Sequence, residues 1–233
     1  MSTATFNRIP IYWLPILIGV LPVAAANICY VIASQAGHVP LCIPYLSGCT
    51  SISSTGRALP EALIFKGAII PSAVLMMAYW ALVYRWFTCF ENKPGFGIRS
   101  IPVLGIIAAV FLIVYAVALG AIGEEYRNIR RVGVTLFFGL TFLAQLTMTA
   151  ALHRLYRSGR VTLPAYLPKL YIAGAVVLLS IGLASTPLSW FLPQTNNIVE
   201  WNFAIIMYLY FLPTYWLWRH SGFYLHVATQ TSG

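Results

Sequence analysis

The chain has 233 residues, of which 60% are hydrophobic and only 8% are charged, and its mean hydropathy is +0.80. A soluble domain carries roughly 25% charged residues, so this composition excludes a soluble globular protein. The formal net charge is +9, but the sequence contains no platform of basic and aromatic side chains, and we expect no nucleic-acid partner. The composition predicts an all-α protein that crosses a membrane several times.

Six apolar stretches are long enough to cross a bilayer. A transmembrane helix needs about 20 apolar residues to span the hydrocarbon core. Backbone polar groups find no water in lipid, so each stretch is predicted to be a helix. The stretches are residues 12–34, 63–87, 101–122, 132–153, 169–191 and 200–218. The connections are short, so residues 1–233 are predicted to form a single six-helix transmembrane domain.

The distribution of basic residues predicts the orientation of this bundle. With the N-terminus in the cytoplasm, nine basic residues fall on the cytoplasmic side and five on the other side. Cytoplasmic loops carry the excess of lysine and arginine, so both termini are predicted to be cytoplasmic. The membrane is either a bacterial inner membrane or a eukaryotic endomembrane or plasma membrane. The five outward basic residues are Arg57, Lys66, Arg127, Arg130 and Arg131.

Two cysteines, Cys42 and Cys49, lie in the first outward loop. If the outer compartment is oxidising, they can form a disulfide; otherwise both remain free thiols. His38 and Glu61 lie on either side of the pair, but the spacing of these four residues matches no standard zinc site. We therefore expect neither a metal ion nor another cofactor.

The segment "SISSTGRALPEALIFKG", residues 51–67, leads from this loop into the second helix. It is typical of a turn and a helix start: serine and threonine hydroxyls bond local backbone, and Gly56 is expected to adopt a positive φ. Pro60 suits the first helical turn, and Glu61 is favourable at a helix N-terminus. The alternative is a loop whose hydroxyls and Arg57 face lipid headgroups.

Charged residues accumulate at the outward ends of the helices. Bundling would bring these ends together at the level of the headgroups, where arginine is well suited to grip a phosphate. Pairing among these charges and snorkelling to water are the alternatives. The residues predicted to bind lipid headgroups are Ser53, Ser54, Thr55, Arg57, Glu61, Lys66, Arg130 and Arg131.

The interior of the predicted bundle contains few ionisable groups. The chain has no aspartate, and none of its five glutamates lies near the centre of a predicted helix. Proton and ion pathways normally need such residues, so a transport function is not expected. Thr141, Gln145 and Thr149 recur every four residues on the fourth helix. They either hydrogen-bond to neighbouring helices or line a polar cavity.

The segment of residues 51–67 also carries a family resemblance. The pattern Ile52-Ser53-x-Thr55-Gly56-x-x-x-Pro60-Glu61-x-x-Ile64-Phe65 resembles the signature before the second helix of the DRAM-type six-helix membrane family. That family includes the damage-regulated autophagy modulators, fungal membrane regulators and the Golgi factor for remodelling GPI-anchor lipids. The resemblance implies a six-helix lipid-interacting membrane protein over the whole chain.

Three positions depart from the family's pattern. Ser54 stands where the family often has aspartate, and Arg130-Arg131-Val132-Gly133 stands where it tends to have His-Asp-x-Gly. Met207-Tyr208 replaces a glutamate before an aromatic residue. Any chemistry that relies on those acidic groups in relatives is therefore not expected here, and the outward surface becomes more cationic.

Three functions remain open on this sequence. The first is a non-transporting membrane protein that binds or organises phospholipid or glycolipid headgroups in the outer leaflet. The second is an acyl-transfer or lipid-remodelling enzyme that uses Ser53 or Ser54 with His38 and Glu61. Acyl transfer needs a base within hydrogen-bond reach of its nucleophile. The third is an accessory subunit packed in a larger membrane complex.

Overall fold

Five long apolar helices dominate the computed structural model, which describes residues 5–191 and 194–229. Each contains an 18-residue window whose mean hydropathy lies between 1.6 and 2.7, so each is long and apolar enough to cross a membrane. The predicted all-α, multi-pass architecture is confirmed at this level. These helices are α1 (Leu14–Gln35), α4 (Glu61–Thr88), α5 (Phe96–Ala118), α6 (Glu124–Arg157) and α7 (Tyr166–Phe191).

The sixth apolar stretch, predicted as one helix over 200–218, is divided into two. Helix α8 spans Thr195–Leu209 and α9 spans Pro213–His220. Pro213 has no N–H to donate, so a regular helix cannot continue through it unchanged. Tyr210 and Leu212 nevertheless keep right-handed helical angles. The two pieces therefore follow one helical path that is interrupted at residues 210–212.

The ends of α5 and α6 also differ from the predicted boundaries. Helix α5 ends at Ala118 rather than 122, because Leu119 is extended and Gly120 has φ of +84°. Helix α6 has 34 residues, about 51 Å at 1.5 Å per residue, against a hydrocarbon core of about 30 Å. Its charged first and last turns were outside the predicted span because they are not apolar.

A two-stranded antiparallel sheet joins the ends of the chain. Strand β1 (Thr5–Pro10) pairs with β2 (Tyr224–Thr229), from Thr5 opposite Thr229 to Pro10 opposite Tyr224. Neither strand was predicted, because these segments lie outside the long apolar stretches. We call the end of the bundle with this sheet and the turns 89–95 and 158–165 the terminal face. The opposite end, with residues 36–60 and 119–123, is the loop face.

Aromatic side chains from α4 and from the α8–α9 segment fill the centre of the bundle. The rings of Tyr79 and Trp80 are fully buried, with centroids 5.1 Å and 5.7 Å from that of Phe211. Trp218 lies 5.6 Å from Tyr79. On α5, Gly105 has no side chain where one would collide with the Trp80 ring, so the two helices pack closely. Helices in lipid associate largely through such van der Waals contact.

The polar stripe on α6 lies against the end of α8. Gln145 Nε2 donates to the Met207 carbonyl at 2.8 Å, and Tyr210 Oη donates to the Gln145 carbonyl at 2.6 Å. The Thr149 hydroxyl bonds Tyr210 Oη, whereas Thr141 is buried and its hydroxyl has no partner among the described residues. The stripe therefore joins α6 to α8 just before the break.

Candidate functional site

The segment before α4 folds into a single helical turn, α3 (Ile52–Thr55). Ser51 caps this turn, because its hydroxyl accepts a hydrogen bond from the Ser54 amide at 3.2 Å. The same Oγ atom lies 3.1 Å from the Ser53 hydroxyl and 2.8 Å from the Ser54 hydroxyl. Thr55 is buried and donates to the Ile52 carbonyl at 2.7 Å. The hydroxyls of Ser54 and Thr55 therefore make their hydrogen bonds within the turn itself.

Gly56 follows this turn, but the predicted reason for a glycine there is wrong. Its φ is −114°, which is not in the left-handed region. A side-chain carbon on Gly56 would instead lie 2.7 Å from Cγ of Phe65, whose ring is buried. The glycine therefore permits close packing of the turn on α4. Pro60 occupies the N-cap position of α4, immediately before Glu61, and not a position within the first turn.

Glu61 is completely buried at the start of α4 and does not face lipid. Its Oε1 atom lies 2.8 Å from Nδ1 of His38, while Oε2 has no partner among the described residues. The His38 side chain is 38% exposed, so the pair connects the loop face to the interior. Buried carboxyl groups are normally paired, and His38 provides that partner here.

The serines of α3 are not hydrogen-bonded to this histidine. The Ser53 hydroxyl accepts from Arg57 Nη2 at 3.0 Å and also contacts Ser51, whereas His38 uses Nδ1 for Glu61. Within the described ranges, no hydrogen bond connects Ser53 or Ser54 to His38. The geometry thus shows an oriented histidine without a serine nucleophile beside it.

Cys42 and Cys49 form a disulfide, which selects one of the two alternatives left open by the sequence. Between these cysteines lies the short helix α2 (Pro44–Ser47). The Tyr30 hydroxyl of α1 donates to the Cys42 carbonyl at 2.6 Å. On the other side, Asn197 of α8 donates to the Gly48 carbonyl at 2.8 Å. The bridged loop is therefore held between α1 and α8.

Among the described residues, no group of three or more histidine, cysteine, aspartate or glutamate side chains is placed to hold a metal ion. The cysteines that the sequence placed near His38 and Glu61 are occupied by the disulfide.

A cleft of about 900 Å³ opens at the loop face between α3, α6 and α8. We call it the basic cleft, because four of its lining residues are arginines. Its apolar lining comes mainly from α6 and α8, including Phe138 and Phe203. The polar and charged residues of its lining are Ser51, Ser53, Arg57, Tyr115, Arg127, Arg130, Arg131, Thr135, Asn196, Asn197 and Glu200.

The four arginines of the basic cleft differ in how far they are already paired. Arg130 donates to the carbonyls of Ala118 and Ala121 at 3.1 and 2.9 Å, so it caps the end of α5. Arg127 pairs with Glu124 at 2.6 Å. Arg131 is exposed and has neither an ion pair nor a side-chain hydrogen bond with any described residue.

The remaining charges of the cleft meet at α3. Glu200 of α8 is half-buried beside the backbone of Ile52 and Ser53, and its charge interacts with that of Arg57. These contacts hold α3 against α8 and leave the cleft with an excess of positive charge.

Half of the eight predicted headgroup residues line the basic cleft. Ser53, Arg57, Arg130 and Arg131 belong to its lining, whereas Ser54, Thr55 and Glu61 do not. Lys66 also lies outside it and donates to the Val117 carbonyl at 3.5 Å. Asn196 and Asn197 were missed, because isolated amides at a helix start carry no signal in a single sequence.

An apolar groove of about 180 Å³ continues from the basic cleft along the membrane-spanning helices. It lies between α6, α7 and α8, and it shares Phe138, Gly182 and Phe203 with the cleft. Gly139 on α6 leaves space here, since nothing lies within 4 Å of a side-chain carbon built on it. No pattern in the sequence indicates this groove. The other lining residues are Phe142, Leu178, Leu179 and Leu183.

The fold and this site define a multi-pass helical membrane protein with a charged cleft at one face. The sequence profile of the Frag1/DRAM/Sfk1/Cwh43P N-terminal domain matches residues 10–220. The chain belongs to this family, as the resemblance of residues 52–65 predicted. Neither the curated proteins nor the solved structures contain a significant match to the chain.

Proposed function

We propose that the protein binds a phosphate-bearing lipid headgroup in the basic cleft, with an acyl chain of that lipid in the adjoining apolar groove. The observation that carries the proposal is the continuity of the two spaces through Phe138, Gly182 and Phe203. A lipid is charged at one end and apolar at the other, so it needs adjacent surfaces of both kinds. Phospholipids and phosphorylated glycolipids both satisfy this requirement.

Arg131 is the main cation available to a phosphate in this cleft. Arg130 is engaged with backbone carbonyls, and Arg127 has a carboxylate partner. Arg57 shares its guanidinium between Ser53 and the charge of Glu200. An unpaired arginine makes charge-assisted hydrogen bonds to phosphate without first breaking an ion pair. Of the four arginines, Arg131 should therefore contribute most to the affinity for the phosphate.

We further propose six membrane crossings with both chain ends in the cytoplasm. The pairing of β1 with β2 supports an even number of crossings, because these strands precede the first helix and follow the last. The helical path of α8 and α9 is the candidate for the sixth crossing. The excess of basic residues at the terminal face favours the cytoplasm for that side. Cysteine labelling that reached residues 89–95 from outside would overturn this orientation.

The acyl-transfer alternative is less well supported by the contacts of the loop face. It requires Ser53 or Ser54 to approach His38, whereas their hydroxyls bond Ser51 and Arg57. On that alternative, Ser53→Ala would abolish lipid turnover by the purified protein. The accessory-subunit alternative instead requires a stoichiometric partner in mild detergent extracts.

The headgroup proposal is tested with Arg131→Gln in the purified full-length chain. Phosphatidic acid is titrated into the protein in a neutral detergent, and bound lipid is counted by native mass spectrometry. Loss of one charged hydrogen-bond donor should weaken one binding step about tenfold. The matched control is Arg157→Gln, which removes an exposed arginine of the same helix at the terminal face. Unchanged affinity in Arg131→Gln protein of normal stability would refute the proposal.

A further inference from the structure

A separate pocket of about 250 Å³ lies at the terminal face, between the start of α5 and the end of α6. Gly95, Phe96, Gly97 and Ile98 form one wall, and the last turns of α6 form the other. The two walls are close: a side-chain carbon on Gly97 would lie 3.6 Å from Nη2 of Arg154. The polar side chains of the lining are Glu91, Arg154, Ser158 and Arg160.

The charge of this pocket favours an anion. Arg160 pairs with Glu91 at 3.2 Å, while Arg154 has no ion pair and donates no side-chain hydrogen bond to any described residue. One carboxylate therefore opposes two guanidinium groups. The start of α5 adds partial positive charge, because it has neither an acidic residue in its first turn nor a side-chain cap.

The rim of the pocket also indicates where its ligand comes from. Phe96 begins α5 and is 88% exposed, beside the charged lining. An exposed apolar ring is unfavourable in water, so at the end of a membrane-spanning helix it is better placed against lipid. A ligand at this depth would be reached more readily from the membrane surface than from bulk solution.

We propose that this pocket binds the phosphate of a membrane lipid headgroup at the terminal face, with Arg154 and Arg160 as its cationic ligands. It is independent of the basic cleft, which lies at the opposite face. The proposal also differs from a diffuse attraction between basic loops and anionic lipid, because it assigns the contact to two particular arginines. Glu91 then acts as an internal competitor that holds Arg160 when the pocket is empty.

The experiment uses the full-length chain with Arg131→Gln, so that the basic cleft contributes little. Phosphatidic acid is titrated into the detergent-solubilised protein and counted by native mass spectrometry. Arg154→Gln should weaken the remaining binding step about tenfold, since it removes a charged donor. Glu91→Gln should strengthen that step about threefold, because it frees Arg160 from its carboxylate.

Arg157→Gln is the matched control, because Arg157 occupies the same last turn of α6 but does not line the pocket. It should change the affinity less than twofold. Equal losses in Arg154→Gln and Arg157→Gln protein would overturn the discrete pocket in favour of diffuse attraction. Full displacement by an equal concentration of inorganic phosphate would overturn the lipid as the source of the phosphate. Thermal unfolding of each variant distinguishes lost binding from lost structure.

Discussion

Gly56→Ala tests whether close packing, rather than backbone conformation, requires a glycine after α3. At φ of −114° an alanine is sterically allowed, so the backbone should not resist the change. The new Cβ would lie 2.7 Å from Cγ and 3.0 Å from Cβ of Phe65. These atoms are close to the backbone of α4 and cannot swing aside as the tip of a long side chain could.

The expected loss is the difference between two effects. Overpacking at a buried ring costs about 2 kcal/mol. Alanine also lowers the conformational entropy of the unfolded chain, which stabilises the folded protein by about 0.7 kcal/mol. The net loss of about 1.3 kcal/mol corresponds to a melting temperature about 4 °C lower in a chain of this size. Thermal unfolding monitored by fluorescence-detected size-exclusion chromatography measures this shift.

Two further variants separate the packing explanation from any other. Gly67→Ala in α4 meets nothing within 4 Å, so it should raise the melting temperature through helix propensity. In a Phe65→Ala background, Gly56→Ala should cost almost nothing, which gives a coupling energy of about 1–2 kcal/mol. Equal losses with and without the Phe65 ring would refute the reasoning.

Two other predictions concern the disulfide and the contact between α6 and α8. Replacing Cys42 and Cys49 together by serine should lower the free energy of unfolding by about 2–3 kcal/mol, as expected for a short closed loop. Alkylation of both thiols in freshly isolated protein would contradict the bridge. Gln145→Leu should cost about 1 kcal/mol because the Met207 carbonyl loses its side-chain donor. Thr147→Val is its control, since the half-buried Thr147 hydrogen-bonds only within α6 in the described structure. Equal losses in the two variants would contradict this assignment.

Hydropathy predicted the membrane-spanning core well, because the requirement for apolar length is local. Five of the six predicted stretches correspond to long helices. The break between α8 and α9 is harder to predict from the sequence, because a proline does not always end a helix. Three other prolines, Pro22, Pro71 and Pro102, lie within helices that continue through them. Whether a proline divides a helix depends on its neighbours, and here Gln145 bonds a carbonyl just before the break.

The candidate site was less predictable than the spans, because it depends on which side chains from distant elements meet. The sequence located the charges at the correct ends of the helices. It could not indicate that Glu61 would be buried against His38, 23 residues earlier in the chain. Nor could it indicate that α6, α7 and α8 would leave an apolar groove next to the basic cleft.

Arg130 and Arg131 show why residue type alone does not define the lipid site. Adjacent residues on a helix point about 100° apart, so two identical neighbours cannot share one environment. Arg130 turns toward the end of α5, where α5 stops at Ala118 and leaves its last carbonyls without helical partners. Arg131 lacks such carbonyls and remains exposed in the cleft. The two arginines therefore serve different purposes: Arg130 stabilises the junction of α5 and α6, whereas Arg131 is the cation on which the proposed headgroup site depends.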